Sequence, residues 1–492
     1  MGKSRNQLSI RSLDEMVSKE SPARQIDSIV DGLDTSYFAK AEVKETGRPP
    51  YKPKDLLKLL VYGMDNGVTS TRKLERESKC NIEAMWLLNE LRPDSTTIRN
   101  FRRENAANLI RFFNEFCRKL AEQGYIDGKI VAIDGTKIRA NNSRRNNYSL
   151  KKLDRHIDYI DRKITEYMQE LDKNDKLEEL QERKAKYKEF RERISNGEVT
   201  EVSATDSDSR LMRQGNGGAD VSYNVQAAVD SKHKLIAGVM VTNEPNDQGQ
   251  LSKAAKAVKD NLGLKTMTVP ADKGYYSTED FKACHADGIT TLVSRPKERE
   301  AAKELFRKED FRYDKENDCY YCPAGQILKF STEDKGYKRY RNVKACKSCN
   351  FKQYCTKGNR RDLCRHIHEE HAEQNDRDFA KNQETYKLRQ QLSEHPFGTV
   401  KRTMGIRQFL SRGLVNVNAE AALIFLAYNL KRLRNIQMNN PNNTRDYPLC
   451  CQILAQFVFF LLLLLFLRKS KLCSKINPVF PQSDARLQEN CI

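Results

Sequence analysis

Two aspartates follow apolar segments that have the character of β-strands. Asp134 ends the segment KIVAID, and Asp272 ends the segment TMTVPAD. A single aspartate at such a position is more often a turn or helix-capping residue, but two of them gain weight if their strands are neighbours in one sheet. Carboxylate oxygens are the ligands that Mg²⁺ requires, and two such ions can support phosphodiester cleavage. The pair therefore predicts a metal-dependent site at the edge of a sheet.

A group of cysteines forms a second candidate site. Cys319 and Cys322 make one Cys-x-x-Cys pair, Cys346 and Cys349 make another, and Cys355 follows. Each pair can present two thiolates to one tetrahedral ion, which indicates a zinc ribbon, and spacing alone favours Cys319 over Cys355 as the fourth ligand. A cysteine-bearing loop without metal is the alternative.

The balance of charge narrows the choice of partner. Lys and Arg number 87 against 67 Asp and Glu, which gives a formal charge of +20. This excess favours a polyanionic partner such as nucleic acid, although it also fits a generally basic, soluble surface. The first twenty residues contain no apolar core of a secretory signal, so we expect the 13 cysteines to face a reducing cytoplasm.

Residues 1–127 have the pattern of an all-α domain. Apolar residues recur at helical spacing from Asp55 to Met64, a second helix is expected from Ser70, and Asp94 can cap a third, basic helix. This arrangement is typical of a helix-turn-helix-like DNA-binding module, although an ordinary helical domain with a charged face fits as well. The candidate DNA-binding residues of the third helix are Arg99, Arg102 and Arg103.

Residues 128–435 have the pattern of a mixed α/β sheet with two insertions. Alternating three- and four-residue apolar steps predict a helical hairpin over 149–196, and the cysteines lie in a second insertion over 311–364. A strongly apolar helix from Asn418 to Leu433 is expected to close the core. The predicted strands are Lys129 to Asp134, Tyr223 to Asp230, Leu235 to Thr242, Thr266 to Asp272 and Ile289 to Ser294, with a helix from Leu251 to Leu262.

Several longer segments carry a resemblance to a known family. They are RPPYKPKDLLKLLVYG (Arg48 to Gly63), IDGTKIRAN (Ile133 to Asn141), YNVQAAVD (Tyr223 to Asp230), ADKGYYS (Ala271 to Ser277) and YKLRQQLSEHPFGTVKR (Tyr386 to Arg402). In combination they resemble insertion-sequence DDE transposases of the branch with a Tyr-Arg-Glu-Lys signature. The matching signature residues here are Tyr386, Arg389, Glu394 and Lys401.

This resemblance implies an RNase H-like catalytic domain in which Asp134, Asp272 and Glu394 bind two Mg²⁺ ions. It implies that Tyr386, Arg389 and Lys401 contact DNA phosphates near the cut. It also favours Cys322, Cys346, Cys349 and Cys355 as the zinc ligands.

The sequence departs from the family pattern in two places on the helix that carries Glu394, the third acid. The interval from Arg389 to Glu394 is one residue longer than usual, and Pro396 disfavours helical geometry at His395, so a kink or restart is expected after Glu394. The rival acids are Asp206, Asp208, Asp230, Asp247 and Glu384, of which Asp230 is the foremost alternative.

The resemblance implies a transposase that binds inverted repeats of double-stranded DNA, cuts the strand and transfers it to target DNA, acting as a homodimer or larger assembly. A transposase-derived DNA-binding protein without catalysis and a nuclease without strand transfer are the alternatives.

Residues 436–492 form a linker and an apolar tail. Its segment Leu449 to Leu467 has the length of a membrane anchor, but we favour an altered reading-frame end over an anchor or a docked helix.

Overall fold

The computed structural model describes residues 11–38, 49–168, 174–198, 201–215, 217–296 and 305–438. The apolar segment Leu449 to Leu467 lies outside these ranges, so its interpretation stays open. Within them, no helix combines the length and the apolar character that a membrane crossing requires.

The N-terminal part is all-helical, as expected. Asp94 caps the sixth helix by accepting hydrogen bonds from the backbone amides of Thr96 and Thr97, and Ile98 and Phe101 of that helix are buried. The helices are α1 (Leu13–Met16), α2 (Pro22–Gly32), α3 (Pro53–Asp65), α4 (Thr71–Cys80), α5 (Ile82–Leu87), α6 (Ser95–Glu104) and α7 (Ala106–Glu122).

The central part contains the main sheet and the helical hairpin. Its elements are β1 (Val131–Arg139), β2 (Asn147–Tyr148), α8 (Leu150–Met168), α9 (Asn174–Ser195), β3 (Val202–Ser203), β4 (Arg210–Arg213), β5 (Ala219–Asp230), β6 (Ile236–Thr242), α10 (Leu251–Leu262), β7 (Met267–Ala271), α11 (Thr278–Ala286) and β8 (Ile289–Val293). The hairpin α8–α9 confirms the predicted helical insertion and packs around its own apolar cluster, which includes Leu153, Ile160 and Phe190.

The main sheet has the strand order β4-β5-β1-β7-β8, and β6 pairs with β5. Strand β5 runs antiparallel to both β1 and β6, whereas β1, β7 and β8 run parallel to one another. A mixed α/β sheet is therefore confirmed. One expected boundary is wrong: β1 does not end at Asp134 but continues to Arg139, because its antiparallel pairing with β5 extends from Val131 to Arg139.

The cysteine-bearing segment forms a separate antiparallel sheet of the order β13-β12-β11-β10-β9. Phe311, Tyr320, Leu328, Tyr340 and Leu363 form its apolar core. The elements are β9 (Arg312–Asp314), β10 (Cys319–Tyr321), β11 (Ile327–Asp334), β12 (Tyr337–Arg341), α12 (Val343–Lys347), α13 (Lys352–Cys355) and β13 (Asp362–His366).

Three helices complete the described chain: α14 (Glu369–Lys381), α15 (Gln383–Gly398) and α16 (Leu414–Met438). Helix α16 is buried along most of its length and contacts β6, α7 and α3, so it joins the sheet to the N-terminal helices in one apolar core. A buried ion pair between Arg434 of α16 and Asp65 of α3, 2.6 Å apart, reinforces that junction.

Candidate active site

Asp134 and Asp272 lie side by side on the main sheet. Strands β1 and β7 are parallel, and Ile133 is opposite Ala271. Asp134 follows Ile133 within β1, and Asp272 follows Ala271, the last residue of β7. Asp134 accepts a hydrogen bond from the backbone amide of Gly135 (2.9 Å), and Asp272 accepts one from that of Lys273 (2.7 Å). The register of two parallel strands thus places the backbones of both predicted acids next to each other, Asp134 within β1 and Asp272 just beyond the end of β7.

The environment of Asp134 is set by helix α15. Burial raises the pKa of Asp134, and a hydrogen bond from Ser393, the backbone amide of Gly135 and the charge of Arg389 oppose that rise. The negative charge of Asp247 acts in the same direction as burial. Helix α15 therefore places the hydroxyl group of Ser393 and the positive charge of Arg389 next to Asp134.

Glu394 does not face the two aspartates. Its neighbour Ser393 is buried against Asp134, whereas Glu394 is exposed and accepts a hydrogen bond from Gln390 (3.0 Å). Successive residues of an α-helix point about 100° apart, so the face that presents Ser393 turns Glu394 outward. The structure brings two of the three predicted acids together.

The helix does not break after Glu394, contrary to expectation. Helix α15 continues through Pro396 to Gly398, and a π-helical turn over Thr399–Thr403 follows directly. A proline removes one backbone donor and crowds the preceding turn, and here the irregularity lies beyond the proline rather than before it.

The other predicted signature residues lie on α15, which carries Tyr386 and Arg389, and on the π-helical turn after it, which carries Lys401. The Tyr386 hydroxyl donates to Ser294 Oγ (3.3 Å), and the Arg389 guanidinium lies 5.7 Å from the centre of the Tyr386 ring. Lys401 Nζ donates to Thr136 Oγ1 (2.5 Å), two residues beyond Asp134. The signature cations are thus placed close to the acid pair.

Lys401 has the surroundings of an anion-binding group. Within the described part of the chain, its amino group has no carboxylate at ion-pair distance, and its hydrogen bond goes to the neutral Thr136 hydroxyl. Burial lowers the pKa of Lys401, and the charge of Lys137 lowers it further. A phosphate would supply the missing negative charge.

Asp247 is a further acid at this site, considered in the sequence only as a rival. It follows β6 in the loop before α10, and its Oδ1 accepts hydrogen bonds from Asn224 (2.8 Å), Gln226 (2.9 Å) and Lys137 (3.4 Å). A polar segment between a strand and a helix was the only signal for it, because its partners come from distant strands.

The remaining rival acids have structural partners. Asp230, the foremost alternative, is fully buried at the opposite end of β1, where it accepts from the backbone amides of Gly128 (2.9 Å) and Lys232 (3.0 Å). Asp206 accepts from a tyrosine hydroxyl and Asp208 from a backbone amide at the start of α16, while Glu384 forms an exposed ion pair.

Four cysteines line one small cavity of about 30 Å³ beside the second sheet: Cys322, Cys346, Cys349 and Cys355. Burial raises the pKa of the Cys355 thiol, and the charges of the other three raise it further. Cys319 is instead buried on β10. Nevertheless, the residues with described coordinates include no group of three or more His, Cys, Asp or Glu side chains that could hold a metal ion.

The predicted DNA-binding arginines lie on α6. Arg99 and Arg103 are exposed and Arg102 is half-buried. Helix α4 packs against α6 and carries four further exposed cations, Arg72, Lys73, Arg76 and Lys79, the last of which pairs with Glu75. The two helices together present a basic surface.

Two family matches cover opposite ends of the chain. Residues 321–434 match the family described as "Transposase DDE domain", and residues 11–104 match "Transposase domain (DUF772)". Both matches are to transposase families, which confirms the resemblance to insertion-sequence DDE transposases seen in the sequence. Neither match tests the Tyr-Arg-Glu-Lys signature.

No curated protein matches the chain. Among solved structures, the cryo-EM structure of the piggyBac transposase synaptic complex with hairpin DNA is similar at 10% sequence identity and a TM-score of 0.27, over 87% of this chain and 83% of that chain. A TM-score this low carries no structural argument.

Proposed function

We propose that the chain binds the inverted repeats at the ends of its own element, cuts the DNA strand there and joins the freed 3′-hydroxyl to target DNA. The observation that carries this proposal is the pairing of Asp134 with Asp272, with two cations near Asp134: Arg389 of helix α15 and Lys401 of the π-helical turn that follows it. Paired carboxylates with nearby cations suit metal-dependent phosphoryl transfer on a polyanion.

The strand order supports an RNase H-like catalytic domain over 128–435. Three antiparallel strands, β6, β5 and β1, continue into two parallel strands, β7 and β8. Asp134 lies within β1, and Asp272 directly follows β7. We assign end recognition to residues 1–127. Since both parts share one apolar core, their relative orientation would be fixed.

The donor set of the site fits hard divalent cations. Asp134 and Asp272 offer adjacent carboxylate oxygens, and together with Asp247 they concentrate negative charge that, after burial, raises the pKa of Tyr275 well above its ordinary value. Two Mg²⁺ ions, when bound, supply charge relief on the phosphate and on the attacking and leaving oxygens. Asp134 and Asp272 would hold these ions.

Glu394 completes the set in our proposal after a change in helix α15. A rotation of about 100°, one residue of an α-helix, would exchange Ser393 for Glu394 at Asp134. The π-helical turn Thr399–Thr403 directly after α15 contains the extra residue that such a shift in register needs.

The DNA contacts divide between two surfaces. Tyr386, Arg389 and Lys401 would hold phosphates near the cut. Arg99, Arg102 and Arg103 of α6 would contact double-stranded DNA at the element ends. Synapsis of two ends calls for a homodimer or a larger assembly.

We propose a structural zinc ion at Cys322, Cys346, Cys349 and Cys355, because these four thiols line one cavity. Their described positions do not form a closed ligand set, so binding would draw them inward. Metal analysis of the purified protein tests this assignment: one zinc per chain is expected, and its loss in Cys346→Ser. Equal zinc content in both proteins contradicts it.

The exposed position of Glu394 favours one alternative, a transposase-derived protein that binds DNA without cutting it. Incubating the parent with labelled element ends and Mg²⁺ separates the two functions. Cleavage followed by joined products supports the transposase, whereas binding without cleavage supports the alternative. Cleavage without joining indicates a nuclease.

A further inference from the structure

A network of polar side chains lies next to Gly135, the residue after Asp134, and two of its three members are buried. The Tyr275 hydroxyl donates to Gln226 Oε1, and Gln226 Nε2 donates to Asp247 Oδ1 (2.9 Å). Tyr275 and Gln226 are each 1% exposed, so water cannot replace these bonds. Because buried polar groups left without partners are costly, such a network holds its members in one arrangement.

The network ties together the segments that carry the two aspartates. Tyr275 closes the short 3-10 turn Lys273–Tyr275 that Asp272 caps. Gln226 lies on β5 directly opposite Gly135, the residue after Asp134. A hydrogen bond from Tyr275 to Gln226 therefore fixes the turn of Asp272 to the strands that support Asp134.

Gly135 shows how closely the network approaches β1. A Cβ atom at this position would lie 2.7 Å from Asp247 Oδ1, 2.8 Å from Gln226 Nε2 and 3.1 Å from Tyr275 Oη. These distances are shorter than van der Waals contact, so even a methyl group would push the three polar atoms apart. The strand requires glycine here for the network to form.

Tyr275 is suited to act as a permanent donor. Burial raises the pKa of its hydroxyl well above the ordinary value, and the charges of Asp247, Asp134 and Asp272 raise it further. The hydroxyl proton is therefore retained throughout the neutral range, and the bond to Gln226 keeps its direction.

We propose that Tyr275, Gln226 and Asp247 are positioning residues that hold Asp272 beside Asp134 and thereby set the affinity of the site for divalent cations. The inference rests on the proposed function, because it takes the two aspartates as metal ligands. Groups behind the ligands of a metal site typically change metal affinity by about 10- to 100-fold when they are removed.

The test compares two adjacent tyrosines. Tyr275→Phe removes the network donor, whereas Tyr276→Phe removes a neighbouring hydroxyl whose bond goes to Asp376 (3.3 Å) outside the network. Binding of Mn²⁺ to the full chain is measured by electron paramagnetic resonance, without DNA, at a temperature where circular dichroism shows both variants folded. We expect the dissociation constant to rise about 10-fold or more in Tyr275→Phe and to stay unchanged in Tyr276→Phe.

Two further variants separate positioning from a general loss of stability. Gly135→Ala keeps every network side chain but displaces them, so it should weaken Mn²⁺ binding as Tyr275→Phe does. Asp134→Ala should abolish binding, which identifies the site being measured. If the parent binds Mn²⁺ in an Asp134-dependent manner but Tyr275→Phe and Gly135→Ala bind it as tightly as the parent, the positioning role of the network is refuted while the proposed metal site stands. If the parent does not bind, or Asp134→Ala binds equally well, the proposed metal site is refuted as well.

Discussion

Asp134 and Asp272 occupy neighbouring positions on two parallel strands, one residue beyond the point where Ile133 is opposite Ala271. β1 continues past this point to Arg139, whereas β7 ends at Ala271 and Asp272 begins the following turn. Helix α15 lies over Asp134 and places Ser393 and Arg389 next to its carboxylate. This geometry underlies the predictions below.

Substitution of Glu394 should slow strand cleavage far more than substitution of its neighbour Ser393. Ser393 contacts Asp134 in the described arrangement, but the proposed active arrangement replaces it with Glu394. We therefore expect Glu394→Gln to reduce the rate of strand cleavage severely, because it removes a charged metal ligand. Ser393→Ala should leave the rate within a few-fold of the parent. A severe loss in Ser393→Ala together with an active Glu394→Gln would show that α15 does not rotate.

Lys401 should contribute one phosphate contact. Removing a cation that neutralises a phosphate lowers the slope of log affinity against log salt concentration by about 1. Lys401→Ala should show this decrease in a titration with duplex DNA of the element end. Lys256→Ala is the matched control, because Lys256 already pairs with Asp287 (2.7 Å). The same slope in both variants would exclude Lys401 from the DNA interface.

The buried carboxyl of Asp230 should make stability depend on pH. Burial raises its pKa to about 6, so the folded protein holds a proton that the unfolded chain releases near pH 4. The contribution of Asp230 to the free energy of unfolding is then greatest below about pH 4. It decreases by about 3 kcal/mol as the pH rises through about 6.

Asp230→Asn removes the titrating group while keeping a carbonyl oxygen for the amide of Gly128. Chemical denaturation between pH 4 and pH 7 should therefore give a smaller decrease in stability for this variant than for the parent. Parallel pH profiles for the two proteins would contradict the assignment.

The ion pair of Asp65 and Arg434 should be a major contributor to the junction between α3 and α16. The Asp65 side chain is 2% exposed, and removing one partner of a buried pair typically costs about 3–5 kcal/mol. We expect Asp65→Ala to lower the urea midpoint clearly. Glu384→Ala, which breaks the exposed pair with Lys387, should leave the midpoint unchanged. Equal midpoints for the two variants would refute this role.

The sequence predicted local structure well wherever the spacing of residues within a single helix or hairpin determines that structure. Helix α10 has the predicted bounds, the Asp94 cap of α6 is confirmed, and the hairpin α8–α9 lies where apolar spacing placed it. These features depend on residues a few positions apart, so a single sequence contains their cause.

The parts that the sequence did not predict depend on distant contacts. Asp247 belongs to the site because Asn224 and Gln226 of β5 reach it, and no local pattern reveals that pairing. The orientation of Glu394 depends on which face of α15 packs on β1, and that packing is a contact between residues far apart in the sequence. The length of β1 beyond Asp134 likewise follows from pairing with β5.

Strand cleavage by matched variants tests the central claim most directly. Parent, Asp134→Asn and Asp272→Asn are each incubated with a labelled duplex of the element end and Mg²⁺, and DNA binding is measured in parallel without metal. We predict that all three bind the duplex and that only the parent cuts it and forms joined products. Cleavage by either aspartate variant at the parent's rate would contradict the account.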